Sequence, residues 1–335
     1  MKPVEAANRV NITLEKVFPL LCPFGVILGL LFPRFLVGIR PSIPLLFSTM
    51  TLTGALKLRA RELGRAVSSP LPLLFFFVMA HILMPAFVFA VNNLIFRNDP
   101  DTVSGFVLLY SVPTAITAFI WVTIFKGDLA LSLAIILLDT ILAPAVVPLT
   151  VRILLGTGIN FDMTGMVVSL LFMVAIPTVI GVSLNELSGG RIPRLATPWL
   201  APLSKIFMAA ITAANTAAVA RLIRPGDPRV WLIIAISIGF DSLGFTGSKL
   251  ARLIGICNTG GKPNREKSTS LFYAMGLRNT NVAMTLGIDF FPAAAALPAV
   301  LGIVFQQITA AVMSRIMLGK AGDTGKTDMK NGESN

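Results

Sequence analysis

The chain has 335 residues, of which 55% are apolar and only 13% charged, with 28 Lys and Arg against 16 Asp and Glu and a mean hydropathy of +0.80. A soluble domain needs roughly 25% charged residues to cover its core, so this composition excludes an ordinary soluble fold and points to an outer surface that faces lipid. The net charge of +12 does not signal nucleic acid. No basic soluble domain is visible, and the lysines and arginines fall between apolar runs, where a membrane surface accounts for them.

A membrane-spanning helix needs about 20 mostly apolar residues. After a polar start containing Glu5 and Glu15, the first such run is 17–37. It is too long for the apolar part of a signal peptide and ends without a small-residue cleavage pattern. Further runs follow at 44–58, 70–94, 103–125, 129–155, 164–187, 199–222, 230–253, 268–290 and 292–318. The fold expected is an all-α polytopic membrane protein of about ten transmembrane helices. The segment 319–335 is polar and charged and reads as a disordered cytoplasmic tail. With an even number of spans both termini share one side. That side collects most of the basic residues, among them Lys57, Arg59, Arg61, Lys126, Lys262 and Arg265, while the other holds Arg34, Arg40, Arg97, Arg152, Arg221, Arg224 and Arg229. Cytoplasmic termini follow, in a bacterial-type inner membrane.

Ten spans divide into two five-helix repeats, 1–158 and 159–318, with the second entering the bilayer from the opposite side. Each half has an irregular apolar segment. In the first it is 111–126, with Pro113, Thr114, Thr117 and Thr123; in the second it is 276–289, with Arg278, Asn279, Thr280 and Asn281. Interrupted helices at matching places in two repeats point to a binding site at the midplane, because freed backbone groups need a protein-lined or wet cavity. The plainer alternative is a simple kink at Pro113 and a loop end at 278–281. On the first reading the substrate lies among Thr114, Thr117, Arg278, Asn279, Thr280 and Asn281. Half-helix N-termini carry partial positive charge, and a guanidinium fork suits a carboxylate, so the expected substrate is a small organic anion.

Ionisable groups inside spans are costly and commonly functional. Four stand out: His81, Asp139, Asp241 and Arg278. An Arg278–Asp139 pair is the economical arrangement, each satisfying the other. His81, the single histidine, either carries a proton or is a buried hydrogen-bonding group. Asp241 either lines the cavity or faces the cytoplasmic side near Lys249.

The chain resembles the bile acid:sodium symporter family over nearly its whole length. The matching pieces are 43–65 (IPLLFSTMTLTGALKLRARELGR), 83–85 (LMP), 126–148 (KGDLALSLAIILLDTILAPAVVP) and 276–283 (GLRNTNVA). The resemblance implies ten helices in a panel and a core, two broken helices crossing in the core, and transport of organic anions, often driven by sodium. It also marks an ion-site region. There the family's side-chain oxygens give way to Ala118, Phe119, Ile136 and Ala274, its glutamines become His81 and Arg278, Ser132 is kept, and Asp139 stands where the family has a serine. One hydroxyl is a poor set for sodium, so no metal ligand is assigned and no cofactor is expected. The reading is a secondary transporter of a carboxylate-type anion by alternating access, not coupled to sodium. A conventional sodium symporter and a transport-inactive membrane receptor or scaffold are the alternatives. One histidine, no metal-binding cluster and no nucleotide motif leave no basis for an enzyme.

Overall fold

The computed structural model describes residues 17–59, 70–156 and 161–319, together with 7, 9–14 and 64; the expected tail from 320 onward and the junction 157–160 between the two expected repeats lie outside the described residues. Among the described residues the elements are helices, apart from one short hairpin, β1 (Asn258–Thr259) with β2 (Lys262–Pro263). The helices are α1 (Phe18–Leu31), α2 (Ile43–Ala55), α3 (Pro70–Ile95), α4 (Pro100–Ser111), α5 (Thr117–Ile124), α6 (Leu129–Leu155), α7 (Met163–Leu187), α8 (Arg191–Val219), α9 (Pro228–Leu253), α10 (Arg265–Gly276), α11 (Thr280–Phe290) and α12 (Leu297–Met317). Among the described residues, seven helical segments are long and apolar enough to cross a membrane: Pro33–Ala55, α3, α6, α7, Arg191–Leu222, α9 and Ala293–Met317. The protein is therefore an all-α polytopic membrane protein.

Local sequence explains the boundaries. The first run was expected to reach residue 37, but Pro33 ends α1 early by pushing Phe32 out of helical geometry (φ −123°, ψ 48°). The second segment accordingly begins at Pro33 rather than at 44 and runs through a turn and a 3₁₀ stretch into α2. Starts are capped by short polar side chains: Asp99 accepts from Thr102 N, Asp128 from Leu131 N, Asp162 from Gly165 N, and Asn264 from Lys267 N.

Helices α3 and α7 each contain a π turn, Met79–Leu83 and Leu171–Ala175. In both, a proline sits two residues past the turn, Pro85 and Pro177. The amide of Met84 bonds Met79 O, and proline has no N–H to offer Ala80 O. The same accounting frees Phe172 O in α7. Each freed carbonyl takes a side-chain donor from elsewhere: Phe172 O accepts from Ser48 Oγ at 2.6 Å, and Ala80 O accepts from Arg278.

Two groups of helices result. In one, α8 packs along α1 and α2, and α7 packs on α2. Gly25 and Gly29 of α1 permit this: a Cβ on either would lie 2.7 Å from Ala209 O or 2.5 Å from Ala213 O. The alanine-rich stretch 209–220 is thus a close-packing face. In the other group α9 packs on α10 and α12, while α4 packs on α3, α6 and the turn Ala293–Ala296. The groups meet where α1 touches α12, α6 touches α7, and α8 touches α11.

Gly105 of α4 faces that turn, and a Cβ there would fall 2.1 Å from Ala295 O, whereas one on Gly38 would meet nothing within 4 Å. Gly105→Ala should cost about 1–3 kcal/mol and lower the unfolding midpoint of detergent-purified protein, with Gly38→Ala as the unaffected control.

Candidate functional site

Helix α4 stops at Ser111 because Pro113 drives Val112 into an extended conformation (φ −66°, ψ 156°). Helix α10 stops at Gly276, and Leu277 is likewise extended (φ −114°, ψ 108°). The two extended segments cross antiparallel, with Thr114 paired to Arg278. Ala115 N donates to Leu277 O at 3.0 Å and Asn279 N to Pro113 O at 2.8 Å. Each break thus satisfies backbone groups that the other exposes. Thr114 completes the joint: its amide donates to Asp139 Oδ2 at 2.7 Å, and its hydroxyl to Ala274 O at 2.9 Å. Asn279 caps α11 through Val282 N.

Arg278 is 1% exposed. Its guanidinium donates to Ala80 O at 3.2 Å and to Val112 O at 3.5 Å, and its Nε has no partner among the described residues. The expected Arg278–Asp139 ion pair is not present. Asp139 faces the π turn of α3 instead, and its Oδ1 meets His81 Nε2 at 2.7 Å. With Thr114 N on the other oxygen, each Asp139 oxygen has a partner, and Arg278 is held instead by Ala80 O, which Pro85 leaves open, and by Val112 O at the break. Asp241 follows neither expectation. It is buried and accepts from the Tyr110 hydroxyl at 2.8 Å, pointing to neither Lys249 nor a cavity.

A cavity of about 170 Å³ lies between α1, α2 and α8 on one side and α5, α11 and α12 on the other. Of the six expected substrate residues it brings together Thr117, Arg278, Asn279, Thr280 and Asn281. Thr114 is excluded, since both its polar groups are spent inside the crossing. Thr280 Oγ donates to Gln306 Oε1 at 3.2 Å, and Thr212 Oγ donates to Asn281 Oδ1 at 2.9 Å. Lys57, Lys205 and Gln307 also line the cavity. Arg278 forms part of a second wall too, that of an apolar cavity of about 350 Å³ between α3 and α9, with Met79, Leu83, Phe87, Leu243 and Met275.

In the ion-site region Ala118 and Ala274 are buried, Phe119 is half-buried, and the buried Ser132 hydroxyl has no partner among the described residues. Sequence reasoning missed Tyr110, Lys57 and Lys205. Tyr110 could have been found as a lone phenol inside a span. Lys57 sits at a span end, where orientation alone accounts for it, whereas Lys205 lies within α8 and could have been found as a cation inside the run 199–222.

A profile of the sodium bile acid symporter family matches residues 43–224, more than half of the chain. The chain belongs to the sodium bile acid symporter family. Its members are transporters, so this protein is a secondary transporter and not an enzyme. It is 37% identical over 299 residues to the uncharacterized protein YbaS of Bacillus subtilis (strain 168), covering 89% of this chain and 96% of that one. It is 26% identical over 201 residues to a probable sodium/metabolite cotransporter, BASS1, chloroplastic, of Arabidopsis thaliana, covering 60% of this chain and 50% of that one. The corresponding BASS2 protein of Oryza sativa subsp. japonica is 25% identical over 190 residues, covering 55% of this chain and 44% of that one. The chain thus spans half or less of the length of these plant members of the sodium bile acid symporter family.

The geometry separates two roles. Thr114→Val removes a buried hydrogen bond and should cost about 1 kcal/mol of stability without changing ligand affinity. Asp139→Ala leaves His81 Nε2 and Thr114 N without their buried acceptor and should cost more, about 3–5 kcal/mol. Unfolding midpoints of both purified variants check the order.

Proposed function

We propose that the protein moves a small organic anion of carboxylate type by alternating access, with Arg278 doing inside the crossing what a bound cation would otherwise do. The observation that carries this reading is the buried guanidinium donating to Ala80 O and Val112 O while also lining the cavity. A permanent cation thus holds the open carbonyls at the break and presents charge to a ligand. Lys57 and Lys205 are part of the cavity wall, and among the described residues no carboxylate lines it. The volume, about 170 Å³, is below the range of roughly 300–1,000 Å³ typical of pockets for drug-sized ligands, which favours a substrate of few heavy atoms.

The layout proposed with it has ten membrane crossings, α4–α5 and α10–α11 serving as one broken crossing each. These divide into inverted five-helix repeats around residues 1–158 and 159–318. The group of α1, α2, α7 and α8 is the panel, and the remaining helices are the core. Both termini face the cytoplasm of an inner membrane, as the basic residues of the sequence favour. Sodium coupling is not part of this reading. Ala118, Phe119 and Ala274 offer no side-chain oxygen, and Arg278 would repel a cation from the carbonyls it occupies. The names of the plant relatives, probable sodium/metabolite cotransporters, favour the alternative, a sodium-coupled symporter.

Uptake by proteoliposomes decides between them. After a thermal-shift screen of mono- and dicarboxylates, uptake of the best-bound anion should persist when choline replaces sodium, and Arg278→Gln should lower it at least about tenfold. Uptake that vanishes without sodium makes the protein a sodium symporter. No flux of any carboxylate makes it a receptor or scaffold.

A further inference from the structure

Among the described residues, the buried side chains that carry or can acquire a full charge are His81, Asp139, Asp241, Arg278, Tyr110, Tyr273 and Cys257. All but Tyr273 and Cys257 form one connected cluster. Asp139 joins His81 to the amide of Thr114. Thr114 pairs with Arg278. Arg278 donates to the carbonyl of Ala80, the residue before His81, and to Val112 O. Two residues before Val112, Tyr110 donates its hydroxyl to Asp241. On the helices packed around the cluster, Tyr273 is bonded to Ser314, and charged groups such as Asp101 on α4, Arg152 on α6, Lys249 on α9 and Glu266 on α10 sit towards the helix ends.

The count of charges is informative. Arg278 keeps its proton. Asp139 accepts at both oxygens and serves as the carboxylate that balances it. The cluster is then neutral when Asp241 holds a proton shared with Tyr110 and His81 is an uncharged imidazole donating Nε2–H to Asp139. The other ring nitrogen fits that state. The His81 Nδ1 atom is buried without a partner among the described residues, its ring stacked on Phe77 and edge-on to Phe76. A bare lone pair is tolerated there better than an orphaned N–H.

An anion entering the cavity beside Arg278 takes this neutral cluster to minus one, since Lys57 and Lys205 of the same wall have partners of their own. Unbalanced charge at membrane depth is expensive, and the base with a free lone pair is His81. We propose that His81 is the proton site of the transporter: one proton binds Nδ1 for each carboxylate bound at Arg278, forming an imidazolium–carboxylate pair with Asp139, and the two cross together as proton–anion symport. No other bond forms or breaks. The inference rests on the anion reading of the cavity and supplies its driving ion.

His81 is the only histidine of the chain, so tag-free protein labelled with ¹⁵N-histidine gives one imidazole signal, whose nitrogen shifts report tautomer and charge. Without ligand His81 should be neutral and protonated on Nε2. Saturation with whichever of acetate, lactate, pyruvate or benzoate binds should convert it to imidazolium. A bound anion that leaves the signal unchanged, or an imidazolium already present without ligand, overturns the proposal. Arg278→Gln tests it with no ligand at all: removal of the positive charge should produce imidazolium at a pH where wild type and Arg278→Lys are neutral, and a neutral His81 in a folded Arg278→Gln overturns it. If none of the four anions binds, the carboxylate reading of the cavity fails, while the Arg278→Gln spectrum still decides whether His81 keeps the cluster neutral. In proteoliposomes an inward proton gradient should accelerate wild-type uptake several-fold, and His81→Gln should abolish that acceleration.

Discussion

Backbone groups inside a bilayer have no water to turn to, so a helix that stops at membrane depth must find partners for its open amides and carbonyls. Much of this protein follows from that constraint. The two breaks, after Ser111 and after Gly276, lie against each other and exchange hydrogen bonds between Ala115 and Leu277 and between Asn279 and Pro113. What they cannot satisfy mutually is met by three side chains: Thr114 reaches Ala274 O, Asp139 takes Thr114 N, and Arg278 takes Val112 O. The site is thus the set of groups needed to make an interruption tolerable, with one face left open to a cavity.

The sequence carried much of this. Composition alone placed the chain in a membrane, and apolar run lengths located long apolar helices such as α3, α6, α7 and α9, since both depend on one-dimensional quantities. Prolines were informative as well: Pro113 marked the first break because its ring restricts Val112 locally. The four buried ionisable residues were all identifiable, because charge inside an apolar run is visible without a fold. Their pairing was not. Whether Asp139 meets Arg278 or His81 depends on how α3 and α6 are rotated, and a π turn alters the rotation of α3 in a way that residue spacing does not announce. Thr114 was misplaced for a similar reason. A hydroxyl at a break looks the same in sequence whether it faces ligand or the opposite break.

The second break is less conspicuous, for it has no proline. Its end is set by contact: Gly276 lies where a Cβ would come within 2.1 Å of the Phe245 ring, and Gly244 lets α9 approach Met275 O. The two breaks are alike in hydrogen bonding and unlike in origin, one imposed by covalent geometry and the other by a neighbouring helix. That asymmetry leaves Arg278 on the segment held by packing and Thr114 on the segment held by its own chain.

The π turns of α3 and α7 have a bearing on how this chain can vary. A π turn is one surplus residue accommodated within an α-helix, and one residue corresponds to a rotation of about 100°. Everything beyond Leu83 in α3 and beyond Ala175 in α7 is therefore phased by that surplus. Loss of a single residue from either five-residue turn would swing the remaining helix by more than a quarter circle, setting Phe87 and Val88 on different neighbours and withdrawing the Ala80 or Phe172 carbonyl from its donor. Length in these two short stretches is therefore constrained on its own account, apart from any demand on the side chains they carry, His81 among them.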